Sequence, residues 1–389
     1  MKILLIADGR SPITRRWISM LQPLNHELVL LSSYPCEALP GLTGFHVLPL
    51  AFAAQGGGQA GTGAANPLKR LIGRFRPAAQ RLRHMLGPWM LSRHVGEYLD
   101  ILAAEKPQLV HALRIPFEGM LAASTPANIP VILSTWGNDL TLHAPSASRM
   151  SELTRSALQR ADALMSDTRR DAELALTWGF DPRKPRLVVP GNGGLDLQEL
   201  QEVASGIKPV EPPQVINPRG LRSYTRTDTF FKAVPLVLAK RPEVQFLCAS
   251  MEGQSEAQKW VVQLGIAGNV KLLPWLNQHE LWRETARSLV SVSVSEHDGT
   301  PNSLLEAMAL GCLPVCGDLE SIREWITPGE NGLLVDPHDF AALAQAILTA
   351  LEDSALRSGA AARNRELIRD QADISIARQK VQRFYEQFI

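Results

Sequence analysis

The chain has 389 residues, with 40 basic and 39 acidic side chains and a formal net charge of +1, a balance without the basic excess of a nucleic-acid-binding protein. With 45% apolar and 20% charged residues it has the composition of a soluble globular protein, long enough for two or three domains with separate cores. Cys36, Cys248, Cys312 and Cys316 show neither paired spacing nor clustered histidines, so reduced core thiols in a cytoplasmic protein are expected. No apolar run reaches the ~18 residues of a membrane helix.

In chain order, Ile3-Leu4-Leu5-Ile6-Ala7 is apolar on both faces, as a strand covered by helices would be. Asp8 ends this run, which is also too short for a signal peptide. A helix is expected from about Thr14 to Leu24, then strands at 26–32, 109–112, 131–134, 163–166 and 186–189. Residues 55–66 are Gly-, Ala- and Gln-rich and read as a mobile loop. Residues 67–96 hold Lys69, Arg70, Arg74, Arg76, Arg81, Arg83 and Arg93 with no acid, among apolar residues at roughly helical spacing. Such a basic amphipathic segment suits peripheral contact with an anionic membrane, or receipt of an anionic lipid-linked acceptor. A domain helix with a basic outer face is the plainer alternative.

A second strand series starts near Val215 and continues at 245–249, 270–273, 289–294 and 314–316. Strands alternating with helices in both halves predict two doubly wound α/β domains. The Pro- and Glu-rich stretch 203–213 marks the expected boundary. The 289–294 strand leads into Ser295-Glu296-His297-Asp298-Gly299-Thr300-Pro301-Asn302-Ser303, and a helix is expected from Leu304 to Leu310, closed by Gly311. Pro301 lacks an N–H, so Asn302, Ser303 and Leu304 are the candidate amide donors to an anion at the helix start. Glu306, expected on the first turn, suits a polyol such as a ribose.

These residues resemble the retaining glycosyltransferases of the GT-B fold, in their large family 4. The family carries an acid, seven residues, then Glu before Ala-Met-Ala. Here Asp298, Glu306 and Ala307-Met308-Ala309 take those places, with Asp298 one methylene shorter than the usual Glu. Lys106-Pro107-Gln108-Leu109-Val110-His111, Trp136-Gly137-Asn138-Asp139, Arg160-Ala161-Asp162, Pro190-Gly191-Asn192-Gly193-Gly194-Leu195-Asp196 and Glu330-Asn331-Gly332-Leu333-Leu334-Val335 follow the family's other motifs in order. The Gly-Arg-x4-Lys-Gly segment corresponds to Pro218-Arg219-Gly220-Leu221-Arg222-Ser223-Tyr224-Thr225-Arg226, without the lysine.

The resemblance implies two Rossmann-like domains facing across a cleft: 1–205 on the acceptor side, 206–370 binding the nucleotide sugar, and a helix 371–389 packing back onto the first. It implies a retaining hexosyltransferase acting on a nucleotide diphosphate sugar, UDP-sugar before GDP-sugar, and a glycan, polysaccharide or lipid-linked acceptor. It implies no cofactor and no metal. Asp298, Arg219, Arg222 and His111 are the expected catalytic residues, with a structural histidine satisfied by backbone as the alternative at 111. Glu306, Gly299, Thr300, Asn302, Ser303, Leu304 and Arg226 would bind the nucleotide. The expected location is cytoplasmic, with a peripheral position at the inner face of the plasma membrane as the alternative. A catalytically weak sugar-nucleotide-binding subunit and a GT-B nucleotide-sugar epimerase are the rival readings. A nicotinamide dehydrogenase is disfavoured, because no G-x-G-x-x-G follows the first strand.

Overall fold

The computed structural model describes residues 1–51, 83 and 85–388. It divides the chain into one unit of Met1–Gly194 with Ala377–Ile389, and a second of Leu195–Ile376. Each unit is built on one parallel sheet, as both-face burial of the strands predicts.

In the first unit the strands are β1 (Lys2–Ala7), β2 (Glu27–Ser32), β3 (Gly44–Val47), β4 (Leu109–Ala112), β5 (Val131–Thr135), β6 (Ala163–Ser166) and β7 (Arg186–Val188), in the order β3-β2-β1-β4-β5-β6-β7. Ile3, Leu4, Leu5 and Ile6 have no exposed surface. Strand β3 was not foreseen: Gly44-Phe45-His46-Val47 is a half-buried edge with no apolar run to announce it. The helix expected at 14–24 runs from Pro12 to Leu21, then tightens into a 3₁₀ turn at Gln22–Leu24.

The second unit has β8 (Gln214–Asn217), β9 (Gln245–Cys248), β10 (Val270–Leu272), β11 (Val290–Ser293), β12 (Leu313–Gly317) and β13 (Leu333–Val335), in the order β10-β9-β8-β11-β12-β13. The partition falls before the expected boundary at 205/206. Leu195 and Leu200 lie in the apolar cluster of Trp282, Leu304, Leu305 and Met308, and the Leu195 amide donates to the Ala372 carbonyl at 2.7 Å. Burial of these leucines therefore places 195–205 in the second unit, and the Pro-rich stretch is an exposed connection beyond it. Towards the chain end, the helix Ile374–Tyr385 carries the chain into the first unit from Ala377. There Arg378 Nε donates to the Met20 carbonyl at 2.9 Å.

Most of segment 67–96 lies outside the described residues, as does loop 55–66. Of its described end, Met85, Leu86 and Trp89 are exposed, and the Arg149 guanidinium stands 5.0 Å from the Trp89 ring centre. No helix among the described residues is long and apolar enough to cross a membrane. Cys248, Cys312 and Cys316 are buried and Cys36 is half-buried, all free thiols; burial pushes Cys316 up to about 12.

Candidate functional site

The second sheet reverses its direction of winding between β8 and β11. Strand β8 connects outward to β9 on one side, and β11 to β12 on the other. The loops after two such strands part from each other, leaving a crevice at their carboxyl ends where open α/β sheets bind ligands. The β8 loop begins at Asn217, and the β11 loop runs through Ser295 to Pro301. The two are tied by the Glu296 amide donating to the Tyr224 carbonyl at 3.0 Å. Gly317, ending β12, allows close approach of the β11 loop: a Cβ there would meet the Ser295 carbonyl oxygen at 2.5 Å.

Asn217 Oδ1 accepts from the Arg219 amide at 3.1 Å and so fixes the direction of the loop. Arg219 Nη2 then pairs with Asp298 Oδ2 at 2.6 Å, while Nη1 reaches towards Ser303 Oγ at 3.5 Å. The two charged side chains are only 12% and 13% exposed. Three residues expected at the site, from two loops and a helix, thus converge here.

The helix starts at Asn302, with Pro301 at its cap and Gly311 closing it at φ 81°. Two expectations are corrected by this earlier start. Leu304 donates its amide to the Pro301 carbonyl at 2.9 Å, so it offers nothing to a ligand. Among the described residues, Asn302 and Ser303 remain as amides with no backbone acceptor. Glu306 stands beyond the first turn; it is buried, and its Oε1 accepts from Gln278 Nε2 at 3.0 Å. Gly299 is buried in the turn itself. Thr300 Oγ1 is held by Trp325 Nε1 at 3.0 Å, and the Asp298 carbonyl by Ser321 Oγ at 2.8 Å. Gln278, Ser321 and Trp325 escaped the sequence reading. Only Gln278 had a local signal, since Asn277 and Glu280 form a capping box that places it in a helix's first turn.

The other expected cations lie apart from this pair. Arg222 is on the rim, with Nη1 at 3.2 Å from the Tyr224 hydroxyl. Arg226, in a left-handed backbone conformation at φ 38°, precedes the helix Thr227–Leu238. Its guanidinium is taken by Asp228 at 3.0 Å and Glu296 at 3.6 Å, with His338 against it. Arg226 holds the Asp228 carboxyl at about 2. Arg226 therefore organises its own ion-pair cluster, to which Glu296 belongs.

His111 is also corrected. It has no exposed surface, and both ring nitrogens are occupied, Nδ1 by the Tyr385 hydroxyl at 2.7 Å and Nε2 by Ser134 Oγ at 2.8 Å. Burial pushes it down to about 3. A neutral, fully bonded imidazole with no surface cannot touch a substrate; it is an internal brace of the first unit. Asp139 is likewise buried, accepting from the amides of Ile115 and Trp136 and pairing with Arg114 at 2.6 Å. In the first loop Arg10 pairs with Asp8 at 3.1 Å and lies over the Tyr34 ring.

Residues 9–192 match the glycosyl transferase 4-like domain, and residues 200–367 match glycosyl transferases group 1. The phosphatidyl-myo-inositol mannosyltransferase of Mycolicibacterium smegmatis is 29% identical over 157 residues, which are 40% of this chain and 39% of that protein. The D-inositol 3-phosphate glycosyltransferase of Streptomyces scabiei is 28% identical over 311 residues, 74% of this chain and 64% of that one. The match thus spans under two thirds of either relative. Among solved structures, Anabaena HepE in complex with UDP-glucose superposes with a TM-score of 0.68 at 15% identity, over 100% of both chains. A glycosyl transferase domain is thus matched on each of the two parallel-sheet units, and the chain has the GT-B fold.

Proposed function

We propose that the chain is a retaining hexosyltransferase of family 4 type. It moves a hexose from a nucleotide diphosphate sugar, UDP-sugar before GDP-sugar, to a hydroxyl of a glycan, polysaccharide or lipid-linked acceptor. The observation that carries this is the convergence of Arg219, Asp298 and Ser303 at the switch point of the second sheet, with Glu306 one turn along the same helix. The Arg219 fork and the amides of Asn302 and Ser303 offer donors to the diphosphate, and the helix start adds its positive end. Arg222, steadied on Tyr224, supplies a second positive charge in place of the absent lysine. Glu306, oriented by Gln278, accepts from the ribose hydroxyls. Asp298 accepts from hydroxyls of the transferred sugar. Because the guanidinium charge and the helix end together meet the charge leaving with the diphosphate, transfer proceeds without a divalent metal.

The donor preference is supported by the UDP-glucose bound to the Anabaena protein. The acceptor class is supported by the phosphatidyl-myo-inositol named for the Mycolicibacterium relative.

The test is carbon NMR of UDP-glucose and GDP-mannose, each labelled at the anomeric carbon, incubated with the chain, phosphatidylinositol and short oligosaccharides. Consumption of the UDP-sugar with an α-configured product is expected. A β-configured product would overturn retention, and consumption of GDP-mannose alone would overturn the donor preference.

A further inference from the structure

The Arg219–Asp298 pair raises a question that the donor-binding reading leaves open. Arg219 is the cation best placed for the donor's phosphate, yet its Nη2 is engaged by a carboxylate at 2.6 Å. Asp298 lies just ahead of the helix start, and the hydroxyl of Ser303, whose amide is open, is 3.5 Å from the same guanidinium. The carboxylate is a small oxyanion with a charge-assisted hydrogen bond, of the kind a phosphate oxygen makes. One nitrogen of the fork cannot give its full strength to both.

We propose that Asp298 occupies the anion place of the resting site, and that the donor's diphosphate takes that place by displacing it. The displaced carboxylate is then free to meet the transferred sugar. This rests on the reading of Arg219, Asn302 and Ser303 as the donor's phosphate site. The exchange needs only side-chain rotation. The Asp298 carbonyl is pinned by the buried Ser321 hydroxyl at 2.8 Å, and Thr300, two residues on, by the Trp325 indole at 3.0 Å. The loop therefore stays in place while the carboxylate turns. A diphosphate brings more negative charge and more acceptor oxygens than one carboxylate, so it wins the exchange, but its affinity is lowered by the pair it must break. The same residue thereby keeps the largely buried arginine paired when no donor is present, and couples phosphate arrival to the release of a sugar-binding group.

The test compares UDP binding by calorimetry for wild type, Asp298→Asn and Asp298→Glu, with transfer measured alongside. Asp298→Asn keeps the shape and removes the competing charge. It is expected to bind UDP at least fivefold more tightly than wild type while losing transfer, and Asp298→Glu, which keeps the carboxylate, to bind UDP within twofold of wild type. Should Asp298→Asn fail to fold, judged by its thermal transition, Asp298→Ser is measured in its place with the same expectation. UDP binding to wild type with equal or weaker binding to the neutral variant overturns the exchange and leaves the transferase reading standing. No UDP binding to any of these proteins removes the donor-site reading, and the exchange with it.

Discussion

Replacement of Arg219 by alanine is expected to lower kcat for hexose transfer by about 10²–10³-fold, the typical loss when one preorganised group facing developing charge is removed. Arg219 sits in a largely buried position, where electrostatic interactions are less screened by water than at the surface. Its loss also leaves the Asp298 carboxylate uncompensated beside the place of the phosphates, so KM for the donor rises together with the fall in kcat. Arg219→Lys restores charge without the fork and should recover part of kcat. Arg222 is on the rim against Tyr224, and its alanine variant should lose less than about tenfold, as screened charges do. Steady-state transfer from UDP-glucose, with circular dichroism to verify folding, measures all three. An Arg219→Ala enzyme within threefold of wild type would contradict the assignment.

The second large effect is on stability and concerns His111. Its folded value is about 3, against 6.5 for an ordinary histidine. As pH falls below about 6.5 the unfolded chain takes up a proton that the folded chain refuses. The contribution of the neutral imidazole is therefore complete above pH 6.5 and is lost progressively as pH falls towards 3. At about 1.4 kcal/mol per pH unit, roughly 2 kcal/mol is gone by pH 5. Neutral imidazole has one donor and one acceptor nitrogen, and hydroxyls on Tyr385 and Ser134 can satisfy both. His111→Asn breaks that arrangement and should cost about 1–3 kcal/mol at pH 7.5, yet show a shallower decline between pH 6.5 and 5. Thermal unfolding of both proteins across that range measures it. An equally steep decline in the variant would contradict the brace, and so would lost transfer at unchanged stability, which would return His111 to a catalytic role.

The sheets were legible in the sequence because their strands are buried on both faces: Ile3–Ile6 and Val290–Val294 are continuous apolar or small-residue runs. Edge strand β3 was not legible, since a half-buried Gly-Phe-His-Val segment carries no such run. The turn before the helix Asn302–Leu310 was legible through local chemistry, with a proline lacking an amide and an acid on either side of a helix start. The helix start itself was placed two residues late, because the sequence does not reveal that the Pro301 carbonyl captures the Leu304 amide. The choice among Arg219, Arg222 and Arg226 was open in the sequence, where three arginines share one loop. In the structure Asn217 turns the Arg219 backbone and Asp298, 79 residues away, meets its side chain, which is why the proposed donor site is built on Arg219. His111 was an expected catalytic residue through the family resemblance, near the carboxyl end of strand β4. Its hydroxyl partner lies 274 residues on, beyond the reach of any local pattern.

The most direct test of the donor site is calorimetric titration of UDP, GDP, ADP and CDP into wild type and Glu306→Ala. UDP should bind most tightly, and Glu306→Ala should weaken it by about tenfold, the loss of a charge-assisted hydrogen-bond acceptor for the ribose. Failure of all four diphosphates to bind, or binding that is unchanged in Glu306→Ala, would contradict a nucleotide-sugar site built on the helix Asn302–Leu310.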